Sequence, residues 1–136
     1  MSAGFVAVEG GKTAGDAVAS MVKNRVSAVI VMEKGRPTGI ITERDVLKKV
    51  AARNKRPDDV SAQSIMSSPL ITVRAIDSVD TAAAAMSKNR IKRLPVLEED
   101  GSIAGIISTT DIAKKLAKIL ADDNNRYRSL RSMLDL

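Results

Sequence analysis

Apolar residues along the chain follow two rhythms, and the order of those rhythms occurs twice. Ala14, Ala17, Val18, Met21 and Val22 recur at helical spacing, as do Val79, Ala82, Ala83 and Met86. Residues three and four apart share one helix face, so each set predicts an amphipathic helix. The second set lies in the run Ala82–Ala85, which has high helix propensity. Before these helices, Phe5–Val8 and Leu70–Val73 read as short strands. After them come two predicted hairpins, Val26–Met32 with Thr38–Thr42 and Lys92–Leu97 with Ile103–Ser108, each with a glycine in its turn. A closing helix follows each hairpin. Its apolar positions are Val46, Leu47, Val50 and Ala51 in the first case and Ile112, Ala113, Leu116, Ala117 and Leu120 in the second. The predicted unit is strand, helix, strand, strand, helix.

The two units are also related residue by residue. Met21-Val22-Lys23-Asn24-Arg25-Val26 aligns with Met86-Ser87-Lys88-Asn89-Arg90-Ile91 at an offset of 65. One extra residue in the second hairpin turn raises the offset to 66, and Gly39-Ile40-Ile41 then meets Gly105-Ile106-Ile107. Turns tolerate such insertions because they carry no core side chains. A solenoid needs about three repeats to cover its core. Two copies instead predict an α+β pair of β-α-β-β-α units about a pseudo-twofold axis. The expected organisation is a first domain at 1–53, a linker with a short helix (Ala62–Met66) at 54–69, a second domain at 70–121 and a polar tail at 122–136. Tyr127, Leu130 and Leu134 fall on one face of that tail if it is helical. The small residues Ala17–Ala19 and Ala82–Ala85 permit close helix approach, which favours a homodimer.

Composition narrows the chemistry. The 136 residues contain no His and no Cys, which excludes zinc fingers, iron–sulfur clusters, cysteine nucleophiles and Ser-His-Asp triads. No base–nucleophile pair is visible, so no enzyme is expected and no cofactor. Hydrophobic residues make up 44% of the chain, enough for a core. The apolar run Ala28–Met32 is far shorter than the roughly 20 residues of a membrane span. The chain start lacks a basic segment followed by an apolar one, so a cytoplasmic protein is expected. With 22 basic and 16 acidic residues, the net charge is +6. That suits an anionic ligand. Nucleic-acid binding is the alternative, but one Phe, one Tyr and no Trp leave little for bases to stack on.

Two motifs stand at equivalent places: Gly39-Ile40-Ile41-Thr42-Glu43-Arg44-Asp45 and Gly105-Ile106-Ile107-Ser108-Thr109-Thr110-Asp111. A hydroxyl followed three residues later by an acid is a helix-capping signature, with Thr42 and Ser108 as N-caps. The same geometry also serves a ligand. A helix N-terminus attracts phosphate, and a carboxylate one turn in accepts hydrogen bonds from the vicinal hydroxyls of a ribose. Arg44 is placed to meet a phosphate. Met21 and Met86 read as core, and Lys48-Lys49 and Lys114-Lys115 as solvated helix faces.

With these motifs in order, the sequence resembles a CBS domain pair, or Bateman module. The strand starts Arg25-Val26-Ser27-Ala28-Val29 and Lys92-Arg93-Leu94-Pro95-Val96, and the lead-in Met66-Ser67-Ser68-Pro69-Leu70-Ile71-Thr72-Val73, fit the same family. The resemblance implies tandem CBS domains with two clefts for adenosine nucleotides such as AMP or ATP. It also implies homodimers and a regulatory role exerted on an effector protein. It assigns Asp45 and Asp111 to ribose, and Thr42, Arg44, Ser108 and Thr110 to ribose or phosphate. By the same resemblance, Ile71, Thr72 and Val73 would line the adenine pocket of the Asp45 cleft, and Val26, Ser27 and Ala28 that of the Asp111 cleft. Lys92 and Arg93 stand where the family holds phosphates and are expected across from Asp45. Three cations near Asp45 make that cleft the expected tighter site.

Overall fold

A computed structural model describes residues 2, 3 and 5–122 of the chain. The expected tail positions Tyr127, Leu130 and Leu134 lie outside the described residues. The elements are β1 (Ser2–Ala3), β2 (Ala7–Glu9), α1 (Ala14–Asn24), β3 (Ala28–Glu33), β4 (Arg36–Thr42) and α2 (Glu43–Val46), which runs into a π-helical turn at Leu47–Ala51. A 3-10 turn at Pro57–Asp59 and α3 (Ala62–Ile65) form the link. The second unit contains β5 (Val73–Arg74), α4 (Val79–Asn89), β6 (Arg93–Leu97), β7 (Ile103–Ser108) and α5 (Thr109–Asp122).

Each unit has its own sheet, ordered β2-β3-β4 in the first and β1-β7-β6-β5 in the second. The two hairpins share one register. Ala28 faces Thr42 and Val31 faces Gly39; Arg93 faces Ser108 and Val96 faces Gly105. Both ladders bulge at the same step, between Val31 and Met32 and between Val96 and Leu97. The inserted turn residue therefore leaves the paired strands untouched.

The lead-in segments cross over. β1 adds to β7 of the second sheet, with Ser2 opposite Ile106. Ser67, just before the second unit, bridges to Ile40 on β4 of the first. Ser2 and Ser67 occupy equivalent positions in the repeat, as do Ile106 and Ile40, so each unit borrows edge pairing from the other's lead-in.

Two cores follow the sequence pattern. The first gathers Ala14, Ala17, Met21, Val29, Val31, Ile41 and Val50 with Ala62 and Ile65 from the linker helix. The second gathers Val73, Ala82, Met86, Leu94 and Val96. Met21 and Met86 are buried at matching places, as their spacing predicts. α1 starts at a reciprocal capping box: Asp16 N–H donates to Thr13 Oγ1, and Thr13 N–H donates to Asp16 Oδ2, each at 3.0 Å. That backbone donor holds the Asp16 carboxyl below the usual carboxylate range.

Several boundaries differ from the sequence reading. The first strand is Ala7–Glu9 rather than Phe5–Val8, because pairing with β3 begins at Ala7 opposite Ile30. Its counterpart is Val73–Arg74 rather than Leu70–Val73. Val6 and Ile71 pack against the two cores just before these strands, and the Val6 carbonyl accepts from Ile30 N–H at 2.8 Å. β3 and β6 begin after Val26-Ser27 and Lys92, since Val26 N–H and Ile91 N–H bond back to Met21 and Met86 carbonyls at 3.0 Å and close the preceding helices. Leu47 and Leu116, assigned to the apolar side of the closing helices, are 63% and 52% exposed. Ala17 and Ala82 are buried in the cores, so only part of each alanine-rich stretch faces outward.

Candidate functional site

Both repeated motifs are helix caps in the structure. Asp45 N–H donates to Thr42 Oγ1 at 3.3 Å, and Thr42 N–H donates to Asp45 Oδ2 at 2.9 Å. Asp111 N–H donates to Ser108 Oγ at 3.1 Å, and Ser108 N–H donates to Asp111 Oδ2 at 2.9 Å. The next helical N–H groups are also used in parallel: Glu43 N–H bonds the Ser27 carbonyl at 3.1 Å and Thr109 N–H bonds the Lys92 carbonyl at 2.9 Å. Each hairpin is thereby tied to its closing helix. Capping occupies one carboxylate oxygen of each aspartate. What meets the other oxygen distinguishes the two copies.

Around Asp111 lies a cleft of about 230 Å³. Ser108 and Asp111 form one wall, at the junction of β7 and α5. Arg25, Val26, Ser27 and Ala28 form another, where α1 gives way to β3. Phe5, Val6 and Ile106 supply apolar surface, and Arg93 at the start of β6 adds a second basic residue beside Arg25. Asp111 is half-buried, and among the described side chains its Oδ1 has no hydrogen-bond or ion-pair partner. Five expected residues of this cleft therefore come together: Val26, Ser27, Ala28, Ser108 and Asp111. Thr110 is exposed and does not line it.

Around Asp45 the arrangement differs. Asp45 is 7% exposed. Its Oδ1 accepts from Ser67 Oγ at 3.0 Å and pairs with Lys49 Nζ at 3.1 Å. Its Oδ2 accepts from the Thr42 hydroxyl at 3.1 Å besides the backbone bond. Arg44 and Lys92 are exposed, Ile71 and Thr72 are half-buried, and Val73 is buried in the second core. Arg93, expected across from Asp45, lines the Asp111 cleft together with Arg25. The ring of three cations that made Asp45 the expected tighter site is not assembled there.

Arg25, Phe5, Val6 and Ile106 are cleft residues that the sequence reading does not assign. A signal for Arg25 was present in the matched Lys-Asn-Arg triplets, which carry a cation directly before each hairpin. Lys49 was misread as a solvated helix face. Its place four residues after Asp45 is the spacing of a helical ion pair.

Known proteins agree with this architecture. The family model for the CBS domain matches residues 1–52 and 62–118. An uncharacterized protein of Methanopyrus kandleri, MK0525, is 46% identical over 86 residues, covering 63% of this chain. The chain spans half or less of the first three curated relatives it matches, at 44%, 24% and 50% of their lengths. Among solved structures, the hexameric CBS-CP12 protein from bloom-forming cyanobacteria superposes with a TM-score of 0.78 at 33% identity, covering 83% of this chain and 63% of that one. The CBS domain protein PAE2072 from Pyrobaculum aerophilum, complexed with AMP, superposes with a TM-score of 0.75 at 28% identity, covering 82% and 85%.

Proposed function

The chain belongs to the CBS domain family, and from that premise we propose that it is a regulatory module that senses an adenosine nucleotide at the Asp111 cleft. The observation that carries the reading is the convergence of one available carboxylate oxygen, two arginines and an apolar wall in a single cleft. Asp111 Oδ1 is suited to accept from the vicinal hydroxyls of a ribose. Arg25 and Arg93 are suited to a phosphate, which a guanidinium can grip with two parallel bonds. Val26, Ala28, Ile106 and Phe5 offer the flat apolar contacts a purine needs, and strand-start backbone groups are close by for its edge. The AMP-bound relative supports this class of ligand. The output we infer is a change passed to an effector protein. The setting we infer is the cytoplasm. Among the described residues no helix is long and apolar enough to cross a membrane.

A second part of the proposal concerns assembly. Val18, Met21, Val22, Val46 and Leu47 line an apolar groove between α1 and α2. Val22 is 73% and Leu47 63% exposed, as bulky side chains left for a partner surface are. A second copy of the chain is the proposed partner.

Titration calorimetry with AMP, ATP and S-adenosylmethionine tests the ligand, with a short DNA duplex as the competing arm. At least one adenosine ligand is expected to bind. Loss of one charged hydrogen-bonding group costs about 1.5–3 kcal/mol, so Asp111→Ala should weaken binding roughly 10- to 100-fold. Binding of the duplex with no response to any adenosine ligand would favour the nucleic-acid alternative.

A further inference from the structure

The two halves of the repeat use the same aspartate differently, and we propose that Asp45 is a clasp for the linker, so that each chain carries one nucleotide site. The nucleotide part of this statement rests on the reading of the Asp111 cleft given above. A carboxylate offers about four acceptor positions. At Asp45 the four observed donors are Thr42 N–H, Thr42 Oγ1, Ser67 Oγ and Lys49 Nζ. A ribose diol at this point must displace donors that hold the linker.

The donors on Oδ1 are part of that hold. Lys49 Nζ also donates to the Ile65 carbonyl at 2.9 Å, so one ammonium joins the carboxylate to the end of α3. Ser67 exchanges both backbone hydrogen bonds with Ile40, at 2.8 and 3.1 Å. The Met66 thioether packs over Gly39. The lead-in to the second unit is thus fastened by backbone, side-chain and ionic contacts that converge on Asp45. The second copy lacks the ionic part. Lys115 is the repeat counterpart of Lys49, yet it is exposed and forms no ion pair with Asp111. One aspartate fastens the linker, and its twin faces a cleft.

The test uses the full chain with AMP as the probe. Calorimetry should give one AMP per chain. Ser67→Ala removes a clasp donor without touching the Asp111 cleft. It should leave AMP affinity within about threefold and speed amide hydrogen exchange at residue 67 at least tenfold. Asp45→Asn should act in the same way and lower the melting temperature, whereas Asp111→Asn should cut AMP affinity at least tenfold. Two AMP per chain would overturn the proposal, as would a tenfold affinity loss in Asp45→Asn with an unchanged melting temperature. If the wild-type chain binds none of AMP, ATP and S-adenosylmethionine, the nucleotide reading fails, and exchange at residue 67 still decides the clasp. Equal exchange in wild type and Ser67→Ala overturns it.

Discussion

Arg25 and Arg90 sit at equivalent helix ends with φ of 54° and 55°. That left-handed conformation costs an L side chain roughly 1–2 kcal/mol and is the usual place for glycine. Arg25 closes α1 through its N–H to the Met21 and Val22 carbonyls, a task glycine performs with less strain. Arg25 also lines the Asp111 cleft, where a basic side chain has a use that glycine lacks. Arg25→Gly should therefore keep or raise the melting temperature while weakening AMP binding about 10-fold, the size expected for one charged contact. Lower stability with unchanged affinity would mean that Arg25 serves the helix end alone.

At the scale of elements, the crossed lead-ins join the units more than either hairpin does. Gly39 on β4 lies directly under the first unit's borrowed segment. A Cβ there would come within 2.6 Å of Met66 Sδ and 2.9 Å of the Ser67 carbonyl oxygen. The thioether can swing aside, but the carbonyl is held by its bond from Ile40 N–H. Gly39→Ala should therefore loosen the lead-in and cost about 1–3 kcal/mol, as overpacking does. Urea unfolding measures the loss, and an unchanged midpoint would show that the lead-in contributes little.

For the whole molecule, the exposed apolar side chains are the main unbalanced feature. Val22 and Leu47 flank one groove, and Leu116 and Val79 lie on helices of the second unit. A second copy covering these faces would remove them from water, at roughly 25 cal/mol per Å² of apolar surface. Light scattering should accordingly give twice the chain mass at micromolar concentration. Val22→Asp combined with Leu47→Asp should shift it to the single-chain mass without unfolding the chain. A single-chain mass for the unaltered protein would set the homodimer aside.

Periodicity alone was enough to read the duplicated β-α-β-β-α order, the hairpins and the buried methionines. These are local features: a side chain's face is set by its spacing, and each unit repeats that spacing. The grouping of Val26-Ser27-Ala28 with Ser108 and Asp111 was implied by the family resemblance, and these residues line one cleft. Capping and ligand roles could not be separated in sequence because both ask for a hydroxyl three residues before an acid. Tertiary structure distinguished the two copies, both of them caps, by deciding what reaches the second carboxylate oxygen. Ser67, 22 residues away in the chain, reaches Asp45 only because the lead-in crosses to β4. Arg93 joins Arg25 through the packing of two units whose local patterns are the same. Sequence spacing determined the two equivalent aspartates, and long-range contacts, which spacing does not encode, made them unequal.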